Sequence, residues 1–439
     1  MADSSESLKL AVALIARLRN RAHKAYLVGG CVRDRLLGIE PKDFDIATDA
    51  SPTQIAAYFP GAQLVGAHFG VVLLQEREAR VEVATFRSEG AYTDARRPDE
   101  VRFEREPFLD ARRRDFTING LMEDPISGEI LDYVGGRADL AGKTIRAIGD
   151  AESRFSEDHL RMLRAVRFAA RLNFQIESRT GGAISRQAGL VTSVSAERVR
   201  DELVRIVSEG GARRGLELLD ELGLLPHLLP EVKAFQGVEQ PPEFHPEGDV
   251  WTHVMLMLEE MGPATGSLAF GVLLHDVGKP RTFRRAERIR FDGHAEVGAA
   301  IARELLERLR FSNGEVERVT ALVVNHMKFK DVQKMRASTL KRFLRMEHFE
   351  EHLALHRLDC LASNGRTESY DFVCQKLAAL SVEALHPRRL ISGNDLIAAG
   401  YSPGPSFSQA LEAVETAQLE GEIHTRDEAM EIAKRALEP

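Results

Sequence analysis

The chain has 439 residues, 44% of them hydrophobic and 29% charged, and a formal net charge of −8. That balance predicts a soluble protein of about two to four domains. No apolar run approaches the roughly 20 residues of a membrane span, and the opening segment lacks a basic signal region, so a cytosolic protein without membrane contact is expected. Cys31, Cys360 and Cys374 are too few and too scattered for a disulfide framework or a Cys-rich zinc site, and are expected to be buried thiols. The net acidity argues against indiscriminate nucleic-acid binding. Locally the balance reverses, because Arg154 to Arg214 contains twelve Arg, no Lys and seven acids. Arg without Lys suits bidentate contacts to phosphates or base edges, and suits equally an Arg-rich helix face paired with its own acids.

In chain order, Leu8, Val12, Ile15 and Leu18 recur at helical spacing and predict an amphipathic helix over 8–21. Tyr26 to Val28 reads as a short buried strand. Gly29-Gly30 lets backbone approach an anion, and Cys31 to Leu37 has the spacing of a helix starting at that anion. Asp43 and Asp45 lie two apart in a segment that reads as a strand. Both carboxylates then leave one face while Phe44 and Ile46 point into the core. Two hard oxygen ligands of this kind suit Mg²⁺ and phosphoryl transfer, although Asp-x-Asp by itself is commonly a turn or a solvated strand end.

Strands are expected at Val71 to Leu74 and Val81 to Phe86, the second placing Glu82 as either a third metal-site carboxylate or an exposed edge acid. From Ser88 to Asp110 the composition turns polar and reads as a mobile loop centred on Asp94-Ala-Arg-Arg-Pro98. Arg112-Arg-Arg-Asp-Phe-Thr-Ile-Asn119 then offers guanidinium groups for a triphosphate, with Asp115, Thr117 and Asn119 as hydrogen-bonding positions.

Leu27-Val-Gly-Gly-Cys-Val-Arg-Asp34, Asp43-Phe-Asp45, Arg113-Arg-Asp-Phe-Thr-Ile-Asn119 and Glu157-Asp-His-Leu-Arg161 with Arg164-Ala-Val-Arg-Phe168 resemble, in order and spacing, the class II tRNA nucleotidyltransferases and bacterial poly(A) polymerases. The resemblance covers roughly the first half of the chain. It implies an α+β fold: a small mixed-sheet nucleotidyltransferase head of the DNA polymerase beta superfamily, followed by an all-α neck, an HD domain and a tail. The expected boundaries are 1–148 for the head, 149–240 for the neck, 241–362 for the HD domain and 363–439 for the tail.

By that resemblance Asp43 and Asp45 hold Mg²⁺, while Gly29, Gly30, Arg33 and Asp34 help hold the triphosphate. Arg113, Asp115, Asn119, Arg164 and Arg167 join the nucleotide site. Asp158 and Arg161 select the base: cytosine and adenine each pair an amino donor with a ring-nitrogen acceptor, which an Asp acceptor and an Arg donor can read. With both residues on one predicted helix, three apart, they would share a face. Ser195 to Leu203 looks like a later neck motif in which Arg198 and Glu202 share a helix face. The Pro-rich segment Gln240 to Pro246 reads as a connection.

His253, His275-Asp276 and Asp359 resemble the metal site of an HD domain, to which His294 and His326 would add ligands for a second divalent metal. Such domains hydrolyse phosphoesters. The stretch Ile391 to Pro405 and a polar helix running to about Arg435 look like the tail of bacterial homologues, which would touch the tRNA body. The expected activity is addition of CMP and AMP from CTP and ATP to the 3′ end of tRNA. The rivals are an A-adding enzyme or poly(A) polymerase, and, from another class, an HD phosphohydrolase whose first half only binds RNA. Family members restricted to CC addition typically lack the Asp94 loop, so its presence argues against that restriction.

Overall fold

The computed structural model describes residues 4–64, 70–90 and 101–437. The chain folds into two compact units, one of Met1–Lys233 with the short returns Gly262–Gly266 and Arg308–Arg310, the other of Ala234–Met261, Ser267–Glu307 and Phe311–Pro439. The loop at Asp94-Ala-Arg-Arg-Pro98 lies outside the described residues. Among those described, no helix is long and apolar enough to cross a membrane.

The first unit opens with α1 (Ser4–Arg19), whose Ala11, Leu14, Ile15 and Leu18 are buried at helical spacing. A sheet follows, built around β1 (Ala25–Val28), β2 (Phe44–Thr48), β3 (Gln63–Leu64), β4 (Val71–Glu76) and β5 (Ala79–Thr85). The strand order is β3-β4-β5-β2-β1, continued by the two-residue strands Met122–Glu123 and Ile130–Leu131. β2 and β5 run parallel and the other pairs antiparallel, so the sheet is mixed. Alternation fixes the register: in β5, Val81, Val83 and Thr85 are buried while Arg80 and Glu82 are exposed. α2 (Gly30–Leu36) leaves β1 directly.

Helices take over from Ala151, and Thr144–Ile145 pairs in parallel with Gln175–Ile176. The central helix, Leu160–Leu172, buries ten of its thirteen residues, including Arg161 and Arg167.

The second unit is helical apart from the hairpin Arg284–Arg285 with Ile289–Arg290. Its tail core gathers Leu396, Ala410, Val414 and Ala429. The single polar helix expected there is two helices, Pro405–Glu420 and Arg426–Leu437, because Gly421 at φ 82° caps the first in the left-handed region that glycine tolerates. Of the cysteines only Cys31 is buried, its thiol pushed up to about 11 by burial; Cys360 and Cys374 are partly exposed, against the expectation of three buried thiols.

Candidate functional site

β2 carries the first carboxylate set. Phe44 and Ile46 are buried in the core, so Asp43, just before the strand, and Asp45, within it, project from the opposite face. The parallel register sets Glu82 of β5 beside Asp45. Burial, then the charge of Glu82, pushes the Asp45 carboxyl up to about 6, with Asp43 adding to the shift. A group of acids whose own repulsion resists ionisation is electrostatically prepared for a cation.

Asp43 and Asp45 open onto a cleft of about 820 Å³ lined also by Gly29 and Gly30, where ten arginines and one lysine stand against six acids, those two included. The excess of positive charge selects a polyanion. Every residue expected to bind nucleotide lines it: Gly29, Gly30, Arg33, Asp34, Arg113, Asp115, Asn119, Asp158, Arg161, Arg164 and Arg167. Glu82 and Thr117 do not, and the Thr117 hydroxyl instead donates to Asp139 at 2.7 Å. Gly29 sits at φ 75°, and a Cβ there would lie 3.0 Å from Arg114 Nη1, so a side chain would both strain the turn and crowd a cleft arginine.

The acids of the cleft wall hold the arginines in place. Arg33 donates to Asp34 at 2.8 Å and to Asn119 Oδ1 at 2.7 Å, and Arg171 reaches Asp34 at 3.4 Å. Arg164 donates to Asp115 at 2.8 Å; burial opposes ionisation of that carboxyl, but Arg164, Asn119 and the Phe116 amide draw it down to about 2. The fully buried Asp110 receives Arg113 at 2.8 Å and Arg114 at 3.0 Å. Phe168 lies under three guanidinium groups, Arg33, Arg164 and Arg167, at 5.0, 5.4 and 4.3 Å from its ring centroid. Asp110, Arg171 and the contact of Phe168 with the guanidinium groups escape a reading by motifs. An aromatic four residues after Arg164 and one after Arg167 on the same helix is the signal that points to Phe168.

Glu202 accepts from the buried Arg167 at 2.7 Å and lies 3.9 Å from Arg164. Truncating one partner of such a pair leaves a buried charge uncompensated. Glu202→Ala is therefore expected to cost about 3–5 kcal/mol, checked by urea unfolding followed by circular dichroism.

The expectation that Asp158 and Arg161 share one helix face is corrected. The helix Ala151–Glu157 ends at Asp158, which is extended at φ −151°, and the next helix begins at Leu160. The break presents the Asp158 carboxylate to Arg198, which grips it through Nη1 at 3.2 Å and Nη2 at 2.7 Å. Arg161 is turned by Glu157 at 2.5 Å. Arg198, read from sequence as neck architecture, thus stands in the cleft.

The second unit holds the other constellation. His253 lies on the helix Val250–Met261, His275-Asp276 follow the helix Gly266–Leu274, His294 opens the helix His294–Arg308, His326 follows Asn325, and Asp359 lies on Phe349–Ala362. A Cβ on Gly278 would lie 2.0 Å from the His294 carbonyl oxygen, so glycine there lets the His275-Asp276 turn meet the His294 helix. Two groups of ligand atoms result, His253 with His275 and Asp359, and Asp276 with His294 and His326. All six expected residues come together.

Their hydrogen bonds fix the imidazole lone pairs. Nδ1 of His275, His294 and His326 meets the carbonyls of Val272, Phe291 and Val323 at 2.8, 2.8 and 2.6 Å, which turns each Nε2 toward the other ligand atoms, His294 Nε2 lying 3.2 Å from His326 Nε2. The Nε2 atoms of His253 and His275 are buried, and each faces a carboxylate oxygen at 3.2 Å, that of Asp359 and of Asp276 respectively. Asp276 lies 3.2 Å from His275, 3.5 Å from His294 and 3.8 Å from His326. The Pro-rich connection proves part of this constellation: Glu247 meets Nδ1 of His253 at 2.7 Å and of His245 at 2.9 Å, and Gln240 accepts from Lys279 at 2.6 Å.

Comparison with known proteins follows the same division. Residues 25–146 match the poly A polymerase head domain, 173–236 the probable RNA and SrmB-binding site of polymerase A, and 294–433 the tRNA nucleotidyltransferase domain 2. A CCA-adding enzyme of Lactobacillus johnsonii is 37% identical over 262 residues, 58% of this chain and 65% of that protein. One of Geobacillus stearothermophilus is 42% identical over 218 residues, 50% of this chain and 54% of that protein. The matched part is thus less than two thirds of these relatives' own lengths. The crystal structure of the Bacillus stearothermophilus CCA-adding enzyme in complex with CTP superposes with a TM-score of 0.75 at 27% identity, covering 99% of this chain and 98% of that one. A Thermotoga maritima CCA-adding enzyme complexed with tRNA shares the fold at a TM-score of 0.59 and 20% identity, over 98% and 95% of the two chains. The three matches, in order along the chain, are all to parts of the tRNA nucleotidyltransferase and poly(A) polymerase family.

Proposed function

We propose that this protein adds CMP and AMP, taken from CTP and ATP, to the 3′ end of tRNA in the cytoplasm. The observation that carries the reading is the cleft itself, where Asp43 and Asp45 stand at the edge of an arginine-rich wall that also contains Asp158 and Arg161. In this reading Arg33, Arg113, Arg164 and Arg167 bind the triphosphate, pre-aimed by Asp34, Asp110, Asp115 and Glu202, so little reorganisation accompanies nucleotide binding. The terminal tRNA hydroxyl attacks the α-phosphorus, the bond to the bridging oxygen breaks, and pyrophosphate leaves. Asp43, Asp45 and Glu82 would hold Mg²⁺, which when bound neutralises charge on the attacking and leaving oxygens. The raised Asp45 carboxyl fits that role, since a cation would relieve the repulsion among the three acids. The four-part division into head, neck, HD domain and tail belongs to the same reading.

The test supplies tRNA ending at the discriminator base, at C or at CC, with labelled CTP or ATP given separately. Incorporation of both nucleotides in the order CTP, CTP, ATP is expected. Incorporation of ATP alone, on CC ends only, selects the A-adding enzyme, and untemplated ATP runs select the poly(A) polymerase.

A second reading rests on the two groups in which these His and Asp ligand atoms converge: we infer an HD-type divalent metal centre held by His253, His275, Asp276 and Asp359, with His294 and His326 as ligands to a second ion. A converging set of imidazole and carboxylate donors of this kind fits a divalent transition metal. A metal bound there would supply an activated water for phosphoester hydrolysis. Dialysis against a chelator is expected to lower the melting temperature, and Mn²⁺ at a hundredfold excess over its Kd to restore about 2.7 kcal/mol. Calorimetry checks both, and His275→Ala should abolish the restoration.

A further inference from the structure

We propose that the hairpin beside the His-Asp centre, residues 281–290, is an arm that binds the sugar-phosphate backbone of single-stranded RNA and leads it to that centre. The proposal rests on the metal-centre reading for its destination, but the arm's own evidence is separate. Arg281, Arg284, Arg285, Arg288 and Arg290 stand against one acid, Glu287, in a chain whose formal charge is −8. All five are exposed. Only Arg285 has an ion-pair partner among the described residues, Glu239 at 3.4 Å, itself exposed.

The ladder makes this concentration costly. Its register sets Arg284 directly opposite Arg290 on adjacent strands, a cross-strand placement in which like charges destabilise the pair. A two-stranded ribbon is marginal in water to begin with, so a sequence that places guanidinium against guanidinium there departs from what folding alone favours. A row of phosphates would relieve the repulsion by accepting from both strands. The arm also joins the centre physically. Phe283 and Phe291 at its two ends have ring centroids 5.9 Å apart, Lys279 lies 5.3 Å over Phe291, and the Phe291 carbonyl meets Nδ1 of His294 at 2.8 Å. Phe283 is exposed and offers a face on which a base can stack. Several exposed guanidinium groups with an aromatic fit a nucleic-acid strand better than a small phosphomonoester, which two arginines would saturate.

The experiment uses the intact chain and a short single-stranded RNA with a 5′ fluorophore and a 3′ 4-thiouridine. Binding is measured by anisotropy across a salt series for the wild type and for the triple variant Arg284→Gln, Arg288→Gln, Arg290→Gln, and crosslinked peptides are mapped by mass spectrometry. The triple variant should lose about tenfold in affinity, and its log–log salt slope should become shallower by about 2, at roughly 0.7 per phosphate contact. Crosslinks should fall on the peptide containing Phe283. The triple Lys variant should keep the slope, and circular dichroism melting separates lost contacts from lost fold. Unchanged affinity and slope, or crosslinks confined to other segments, would overturn the proposal, as would retention of phosphatidylserine vesicles by the arm with RNA binding unaltered. Metal content of the wild type, measured in parallel, distinguishes the two claims: a metal-loaded protein with an indifferent arm removes the arm and keeps the centre, whereas a metal-free protein removes the centre while slope and crosslinks still decide the arm.

Discussion

Asp45→Asn is expected to lower the rate of CMP incorporation at least a thousandfold while leaving CTP affinity within a few-fold of the wild type. Carboxylates that hold a catalytic cation stabilise charge developing in the transition state, an effect of several kcal/mol, and each 1.36 kcal/mol is a factor of ten in rate. Ground-state binding is expected to survive because the guanidinium groups proposed for the triphosphate are anchored elsewhere, on Asp34, Asp110, Asp115 and Glu202. The same substitution should leave the metal-free fold as stable as before or more so. A carboxyl whose folded value is raised, here to about 6, favours the fold below its unfolded value near 4 and loses that contribution as pH climbs through 6, so at neutral pH the charged form is the disfavoured one. A neutral isostere removes that penalty. Single-turnover incorporation, nucleotide titration and a melting curve together check the prediction, and full-rate incorporation by Asp45→Asn, or equal losses of affinity and rate, would sink the assignment. Glu82→Gln, tested alongside, decides between the third carboxylate its register favours and an idle exposed acid, on a strand that lies inside the sheet and not at its edge.

Much of this site is legible in the sequence because it is local. The strand-turn-helix of Tyr26 to Leu36 announces itself by apolar alternation, two glycines and a change of period, and the alternation of Asp43 to Ile46 assigns faces without any tertiary knowledge. The His-Asp centre is legible for a different reason, since adjacent His275-Asp276 between an apolar helix and a Gly-Lys-Pro stop is a rare arrangement. What stays hidden is set by contacts distant in the chain. Nothing between Phe155 and Phe168 is glycine or proline, so periodicity runs straight through Asp158; the helix breaks where Arg198, forty residues on, grips the carboxylate. Asp110 is silent for another reason: its partners Arg113 and Arg114 are three and four residues away, but only folding shows that it receives both in a buried position. The Pro-rich segment before Val250 reads as a linker on composition, and only folding shows that Gln240, His245 and Glu247 line up against Lys279 and His253. Two-residue strands such as Thr144–Ile145 carry too little pattern to be read at all.

Asp158→Ala is expected to reduce kcat/KM for CTP and ATP by about ten- to a hundredfold while leaving the much lower value for UTP nearly unchanged, because a correct bidentate base contact is worth about 1–3 kcal/mol of discrimination. The structural argument is that the discriminating acceptor does not stand alone. Two nitrogens of Arg198 hold both oxygens of Asp158, which fixes the plane of the carboxylate, and Glu157 holds Arg161 beside it. A base that offers an amino donor and a ring acceptor meets both residues pre-aimed; uracil, with the pattern reversed, meets acceptor against acceptor. Arg198→Lys should therefore share the loss of selectivity, since a single ammonium cannot grip a carboxylate in a plane, yet it should spare the chemical step, which the proposed function assigns to Asp43 and Asp45. A selectivity ratio of CTP over UTP that is unchanged in Asp158→Ala would move base choice elsewhere in the cleft. A ratio that collapses in Asp158→Ala but survives in Arg198→Lys would leave Asp158 as the reader and reduce Arg198 to a countercharge.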